Sequence, residues 1–274
     1  MHVLGPVDVP AALRCLERDP VVNVFAEYRT RLTRLDPQWL GGQVWGWYAG
    51  GELRSMFHAA ANLVPVNCDE EASAAFARRA AQTRTASATL VGPRPAVEAM
   101  WQVLGPIWGA PRDCRWEQPH LQISGQPAVA PDPLVRRTEA VDLETVYPAC
   151  VAMYTEEVGV SPEIGGGAAL YRTRVRQLVS RGWSFSRIES GRVVFKAEVA
   201  CATPAAAQIQ GVYVDPARRG EGIAAGGMAA VVKIVLAEIA PTVSLYVNAH
   251  NTAARRAYAR CGFAQSATFS TLMF

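Results

Sequence analysis

Residues Val212–Ala224, VYVDPARRGEGIA, have the types and the spacing of a binding site for phosphate groups. An apolar strand is predicted to end at Val214, and a long apolar helix is predicted to start at Gly222. The small residues Gly220, Gly222 and Ala224 let a ligand approach the backbone closely. The first turn of a helix presents unpaired N–H groups and a partial positive charge. A strand, a glycine-rich turn and a helix in this order therefore predict a phosphate cradle.

Two common phosphate motifs do not fit this turn. It lacks the lysine of a Walker loop and the G-x-G-x-x-G spacing of a Rossmann turn. A tight turn before a buried helix has the same residues, so this stretch alone leaves a purely structural interpretation open. A second segment favours the phosphate site: a predicted strand at residues 243–247 is followed by Asn251–Phe263, NTAARRAYARCGF.

Both segments resemble motifs of the GNAT family of N-acetyltransferases. Arg219, Gly222 and Ala224 follow its Q/R-x-x-G-x-G/A pattern, and Asn251–Phe263 is similar to its second motif, in which Asn-x-x-Ala opens a helix that ends at Gly-Phe. The segments at 153–159, 194–199 and 268–274 resemble a two-part subgroup whose N-terminal half is a domain of unknown function. The resemblance implies a mixed α/β (α+β) fold class, with a mixed, mostly antiparallel sheet flanked by helices.

The same resemblance implies which residues bind acetyl-CoA. Backbone groups of two strand residues would pair with its pantetheine arm, N–H groups of the turn would hold its pyrophosphate, two arginines would add charge, and an asparagine would contact the pantetheine amide. The predicted cofactor-binding residues are Val212, Val214, Arg218, Arg219, Gly220, Glu221, Gly222, Ile223, Ala224 and Asn251.

The implied chemistry is direct attack of a primary amine on the thioester in a ternary complex. Tyr258 occupies the position of the family's frequent tyrosine acid, and Glu198, on a predicted central strand, is the candidate base. Glu156 and Glu157 are expected to attract the cationic acceptor. The alternatives are a core tyrosine at 258, a surface acid at 198 and the polar end of a helix at 156 and 157. His250, which is near Tyr258 in the sequence, could act on the same proton, but a histidine at this place is more typical of a solvated loop.

Composition limits the other classes of protein. The chain has 274 residues, half of them hydrophobic, and a net charge of +3, which is too weak to indicate a nucleic-acid-binding protein. No apolar run is long enough to cross a membrane, and the first residues do not resemble a signal peptide, so a cytoplasmic protein is expected. The six cysteines have no zinc spacing, so no metal site is predicted.

The chain is predicted to contain two domains. The proline-rich stretch Gly125–Pro133 is interpreted as a linker, which gives an N-terminal domain at 1–125 and the GNAT domain at 134–274. Both halves share an order of helices, hairpin, strand, helix, strand and helix, so a duplication is a hypothesis. In the first half the helix start Val66–Glu71 has acids and no glycine, so this degenerate GNAT-like domain is not expected to bind CoA. It would shape the acceptor site or a homodimer.

The predicted function is therefore transfer of an acetyl group from acetyl-CoA to an amine on a small molecule or a peptide. Two alternatives remain: a non-enzymatic CoA-binding sensor or assembly subunit, and a tRNA-dependent aminoacyl transferase. The second alternative requires a strongly basic surface and no intact phosphate turn, and the sequence has neither property. Binding of acetyl-CoA without any transfer would favour the first.

Overall fold

The computed structural model describes residues 1–83 and 89–274, and the chain divides into two units. Unit 1 consists of Met1–Leu121, Tyr246–His250 and Gln265–Phe274, and unit 2 consists of Gln122–Leu245 and Asn251–Ala264. Both units contain a mixed sheet flanked by helices, which confirms the predicted fold class.

Unit 1 contains five helices and seven strands among its described residues. The helices are α1 (Val9–Leu16), α2 (Val24–Thr33), α3 (Pro37–Leu40), α4 (Glu70–Thr83) and α5 (Arg94–Trp108). The strands are β1 (His2–Leu4), β2 (Gln43–Ala49), β3 (Glu52–Ala59), β4 (Asn62–Val66), β5 (Thr89–Pro93), β6 (Asp113–Ile123) and, from the end of the chain, β12 (Ala264–Met273).

The sheet of unit 1 has the order β1-β2-β3-β4-β5-β12-β6. β2 and β3 form the predicted hairpin, because Gly50 and Gly51 adopt positive φ angles of 59° and 78°, which suit a tight hairpin turn. β4 and β5 are parallel, and Asn62 and Leu63 pair with Thr89 and Leu90. β12 pairs antiparallel with β5, so the last strand of the chain completes the sheet of unit 1.

Unit 2 contains four helices and five strands among its described residues. They are β7 (Arg136–Arg137), α6 (Leu143–Val158), α7 (Ala168–Ser180), β8 (Ser184–Glu189), β9 (Arg192–Ala202), β10 (Ala207–Val214), α8 (Ile223–Glu238), β11 (Val243–Tyr246) and α9 (Thr252–Cys261). The sheet order is β11-β10-β9-β8-β7, and only β10 and β11 are parallel among the registered pairs.

Close packing of α8 on the sheet explains a glycine inside this helix. A Cβ atom at Gly227 would lie 2.7 Å from the ring of Phe195 on β9, so only glycine fits here. Phe195 is fully buried, as are Met228 and Val231 of α8. The apolar residues of α8 that predicted a buried helix therefore cover the centre of the sheet of unit 2.

The proline-rich stretch differs from the predicted linker, because it is fixed to unit 2. The N–H of Ala128 donates to the carbonyl of Cys261 at 2.8 Å, and the N–H of Asp132 donates to the carbonyl of Gly226 at 3.0 Å. The Asp132 carboxylate also pairs with Arg187 at 2.8 Å, and both side chains are mostly buried. Within the described residues, no helix is long and apolar enough to span a bilayer.

Candidate functional site

The site begins where β10 separates from β11. The two parallel strands pair only at Ala207 and Gln208 of β10, whereas β10 continues to Val214 alongside β9. Within the described part of unit 2, the other edge of β10 from Ile209 to Val214 therefore has no strand partner. We call this segment the open edge. Its residues from Gln210 onwards are partly exposed, so a ligand can reach their backbone groups.

A bulge shapes the open edge. Gln210 pairs with Glu198 and Tyr213 pairs with Lys196, so two residues of β10, Gly211 and Val212, face a single residue of β9. Gly211 has a φ of +63°, a conformation that glycine adopts without strain. A bulge of this kind bends the strand and changes the direction of its backbone groups.

The turn after β10 is the segment in which a phosphate cradle is predicted, and we call residues 219–224 the glycine turn. Gly220 and Gly222 have φ angles of +89° and +81°, and nothing lies within 4 Å of a Cβ atom built on Gly220. Gly222 is the N-cap of α8, and no side chain caps this helix start. The Ala225 N–H donates to the Gly222 carbonyl at 3.1 Å, and the N–H groups before it in the first turn are left for an anion.

The two predicted arginines are engaged in ion pairs. Arg218 contacts Glu221 at 2.8 Å and Glu189 at 3.1 Å. Arg219 forms a bidentate pair with Glu156 at 2.7 and 2.9 Å. Both guanidinium groups are already paired with carboxylates. The predicted role of Arg218 in binding phosphate therefore requires its ion pairs to break. The predicted roles of Arg219 and Glu156 require the ion pair between these two residues to break.

Arg260 lies beside the glycine turn, and the sequence analysis did not identify it. Its Nη1 atom is 3.9 Å from a Cβ atom built on Gly222. Arg260 is exposed, and no ion pair to it is found among the described residues. The signal in the sequence is that α9 carries three arginines and no acid.

Two predicted residues lie on α9. Asn251 is its N-cap and accepts a hydrogen bond from the N–H of Ala254 at 3.1 Å, so its amide NH₂ group stays available for a ligand. Tyr258 is only 6% exposed. Burial, and to a lesser extent the charge of Glu157, raise the pKa of Tyr258 above its ordinary value, so the phenol stays protonated at neutral pH.

Glu198, the predicted base, forms a buried ion pair with Lys196. The Lys196 Nζ donates to Glu198 Oε1 at 2.7 Å and to the carbonyl of Gly211 at 3.0 Å. Lys196 is 0% exposed and Glu198 is 4% exposed. Glu198 Oε2 accepts a longer contact of 3.5 Å from Gln210. The sequence analysis did not assign a role to Lys196, although a lysine two residues before a glutamate in an apolar strand indicates a paired charge.

The remaining chemically active residues give no second site in the described residues. Burial raises the pKa of Cys201 to about 12 and that of Cys261 to about 11, so both are neutral thiols and not nucleophiles. His250 lies in unit 1. No cluster of His, Cys, Asp and Glu side chains with the arrangement of a metal site is found in residues 1–83 and 89–274.

Unit 1 has a different turn at the corresponding position between β4 and α4. The Asp69 carboxylate accepts from the N–H of Ala72 at 2.8 Å, and Glu70 and Glu71 follow. The Asn67 side chain donates to the carbonyl of Cys15 at 2.6 Å. This helix start is therefore capped and acidic, unlike that of α8.

Comparisons with known proteins agree with this geometry. Residues 42–146 match the family model described as Domain of unknown function (DUF4081), and residues 183–263 match the one described as Acetyltransferase (GNAT) family. A search among curated proteins found no significantly similar sequence.

Several solved structures share the fold over nearly the whole chain. A GCN5-related N-acetyltransferase from Sphaerobacter thermophilus has a TM-score of 0.66 at 19% identity, covering 99% of this chain and 94% of that chain. A GNAT-family acetyltransferase from Colwellia psychrerythraea has a TM-score of 0.56 at 14% identity, covering 100% and 98%. A tandem GNAT protein from the clavulanic acid biosynthesis pathway has a TM-score of 0.54 at 15% identity, covering 99% and 97%.

At these identities the structures establish the fold, and the matched family model identifies the domain that carries the site. The chain therefore contains a GNAT-family acetyltransferase domain in its C-terminal half, preceded by an N-terminal domain of the DUF4081 type.

Proposed function

We propose that unit 2 transfers an acetyl group from acetyl-CoA to a primary amine on a small molecule or a peptide. The GNAT family model and the fold support acyltransferase activity in general. The observation that carries the finer proposal is the uncapped start of α8, reached through two positive-φ glycines directly after a strand with an open edge.

The residues of the glycine turn and the open edge fit the donor. N–H groups at residues 219–224 would donate hydrogen bonds to a pyrophosphate, and the backbone of Val212 and Val214 would pair with the amide groups of the pantetheine arm. The Asn251 amide would supply a further hydrogen bond. Unit 1, with its capped and acidic helix start, is proposed not to bind this donor.

The reaction needs one acid and one base. An acceptor that binds as an ammonium first loses one proton to solvent. The neutral amine nitrogen then bonds to the acetyl carbon, the carbon–sulfur bond breaks, one amine proton goes to the base, and the acid gives its proton to the sulfur, which leaves as a thiol. We assign the acid to Tyr258, because its raised pKa keeps a proton on the phenol. We assign the base to Glu198, acting directly or through a water molecule. Glu157, which lies close enough to influence Tyr258, would attract the cationic amine.

Thermal unfolding with and without acetyl-CoA tests the donor site. At about a hundredfold excess over Kd, a ligand adds about 2.7 kcal/mol to the free energy of unfolding, which raises Tm by roughly 5–10 °C in a protein of this size. Gly222→Glu, which places a carboxylate in the cradle, should abolish the rise. Gly191→Glu is the matched control, because Gly191 also has a positive φ and lies in open space.

The outcomes separate binding from catalysis. A rise in Tm in wild type and Gly191→Glu, but not in Gly222→Glu, supports the donor site. No rise in wild type would refute the use of acetyl-CoA. Release of free thiol with a panel of amines then tests the transfer, and binding without any release would support a non-enzymatic CoA-binding protein instead.

A further inference from the structure

The buried ion pair between Lys196 and Glu198 has a second connection that the proposed reaction does not yet use. The Lys196 ammonium has no exposure to solvent and contacts two oxygen atoms, Glu198 Oε1 at 2.7 Å and the carbonyl of Gly211 at 3.0 Å. Both oxygens belong to residues beside the bulge of β10. The ammonium therefore connects a central strand, a carboxylate and the bulged backbone.

Stability alone does not explain this pair. Removing two charges from water costs about as much as their attraction returns, and apolar residues of similar volume often replace a buried pair without loss. A residue that adds little net stability but fixes a defined geometry is better explained by a role at the site.

The geometry that Lys196 fixes is that of the open edge. Gly211 has a φ of +63°, and its carbonyl points to the ammonium while Val212 follows on the partly exposed part of the strand. A Cβ atom on Gly211 would lie 3.1 Å from Glu198 Oε2 and 3.2 Å from Lys196 Nζ. The bulge, the ammonium and the carboxylate are therefore packed directly against one another.

The other groups around Glu198 carry no charge at neutral pH. Burial raises the pKa of Cys150 to about 12 and raises the pKa of Tyr171 further above its ordinary value. Burial is the largest single influence on Lys196 and lowers its pKa, but the contacts with Glu198 and Cys150 together outweigh burial, and the pKa of Lys196 is raised. Lys196 is thus the cation that faces Glu198 among the described residues.

We propose that Lys196 is a positioning residue of the transfer reaction: its ammonium holds the bulged edge of β10 in the conformation that binds the donor and orients Glu198. This inference rests on the proposed function of unit 2. It assigns Lys196 no contact with either substrate, so its effect must appear through the donor affinity of the edge and through the carboxylate.

A double variant separates positioning from folding. Lys196→Met leaves a buried carboxylate without a counter-charge and should lower Tm, whereas Lys196→Met/Glu198→Met removes both charges and should restore Tm to near the wild-type value. Because Glu198 is the proposed base, the double variant is judged by its Kd for acetyl-CoA, measured by calorimetry. We expect the Kd to rise about tenfold in the double variant, since small displacements in a site have effects of this order or larger.

Two further variants test the same bulge without changing a charge. Gly211→Ala should raise the Kd for acetyl-CoA, because its methyl group would displace the ammonium or the carboxylate. Gly191→Ala has a similar backbone strain but meets no atom within 4 Å, so its Kd should equal that of wild type.

In Lys196→Met the acidic limb of the rate profile should move to higher pH, because a buried carboxylate without a partner ionises less readily.

These measurements distinguish a failure of the proposed function from a failure of the inference about Lys196. If wild type does not bind acetyl-CoA, the proposed function and this inference both fail. If wild type binds and the folded double variant and Gly211→Ala bind with an unchanged Kd, Lys196 is a structural residue only, and the proposed function stands without it.

Discussion

At the scale of single residues, Tyr258, the proposed acid, keeps its proton at neutral pH. The phenol is buried in α9, with its ring 5.9 Å from that of Phe263, and its pKa is raised above the ordinary value of about 10. Tyr258→Phe should lower kcat about a hundredfold, within the range of acid–base catalysis, with little change in Tm or in the Kd for acetyl-CoA. Steady-state kinetics with calorimetry on the same variant measures all three.

The sign of the pH effect follows from the direction of the pKa shift. The acid is active when protonated, and a raised pKa keeps it protonated to a higher pH, so the wild-type rate should show no descending limb from this group below about pH 10. A descending limb near neutral pH that persists in Tyr258→Phe would come from another group. One that disappears in this variant would contradict the assignment of the pKa direction.

Arg260 is the second residue whose position suggests an effect of substitution, in this case on the Kd for acetyl-CoA. Its guanidinium lies beside Gly222 without an acidic partner in the described residues, whereas Arg218 and Arg219 already share their charges. An exposed ion contact contributes about 0.2–1 kcal/mol, so Arg260→Gln should raise the Kd for acetyl-CoA by a factor between about 1.4 and 5. Arg256→Gln, one turn earlier on α9, is the matched control. Equal effects of the two variants would indicate general electrostatic attraction and not a contact at the turn.

At the scale of elements, the parts predicted correctly from the sequence depend on local signals. The hairpin at Gly50 and Gly51 and the helix after Gly222 follow from residues within a few positions of each other. β6 was missed because its partners are distant in the chain. Gln118 is buried in β6, where it donates to Asn248 at 2.9 Å and accepts from Thr271 at 2.6 Å.

The candidate site also has one part that local sequence predicts and another part that depends on contacts between distant residues. The glycine turn is a continuous segment, so its conformation could be predicted from its residue types. The ion pair of Arg219 with Glu156 and that of Lys196 with Glu198 depend on which strand or helix lies beside which, and residue types alone do not state this. The predicted ligand contacts of these residues therefore remain proposals, whereas their neighbours are now defined.

The fixed proline-rich segment gives a prediction at this scale. The Asp132 N–H joins the segment to Gly226 of α8, a backbone bond that Asp132→Ala keeps, whereas the Asp132 carboxylate joins it to Arg187 of β8. Hydrogen bonds to charged groups contribute about 1.5–3 kcal/mol. Asp132→Ala should therefore lower the free energy of unfolding by about this amount. Glu139→Ala, which removes an exposed pair at 3.9 Å, should have little effect. Urea denaturation measures the free energy of unfolding of both variants. If Asp132→Ala and Glu139→Ala lost equal amounts of it, the segment would be held mainly by its backbone hydrogen bonds.

At the scale of the whole molecule, neither unit is a single continuous segment of the chain. Unit 1 contains the first 121 residues and the last ten, and β12 pairs with β5 inside its sheet. Both units follow the same order of hairpin, strand, helix and parallel strand, and the duplication stays a hypothesis that superposition of the two units would test. A boundary drawn at residue 134 from the sequence leaves β12 in the same segment as the GNAT motifs, although its packing partners lie in unit 1.

The last strand should accordingly control the stability of unit 1. Leu272 is 0% exposed and belongs to a cluster with Phe57, Phe76 and Leu90. Leu272→Ala should lower the free energy of unfolding by about 2–5 kcal/mol, as is typical of large-to-small changes in a core. Hydrogen exchange should accelerate first in β4 and β5, because the cavity opens in their core, and later in β9 and α8. Gln265→Ala, at the exposed start of the same strand, should leave the hydrogen-exchange rates of both groups of elements unchanged. If β9 and α8 lost protection before β4 and β5, the assignment of the last strand to unit 1 would be wrong.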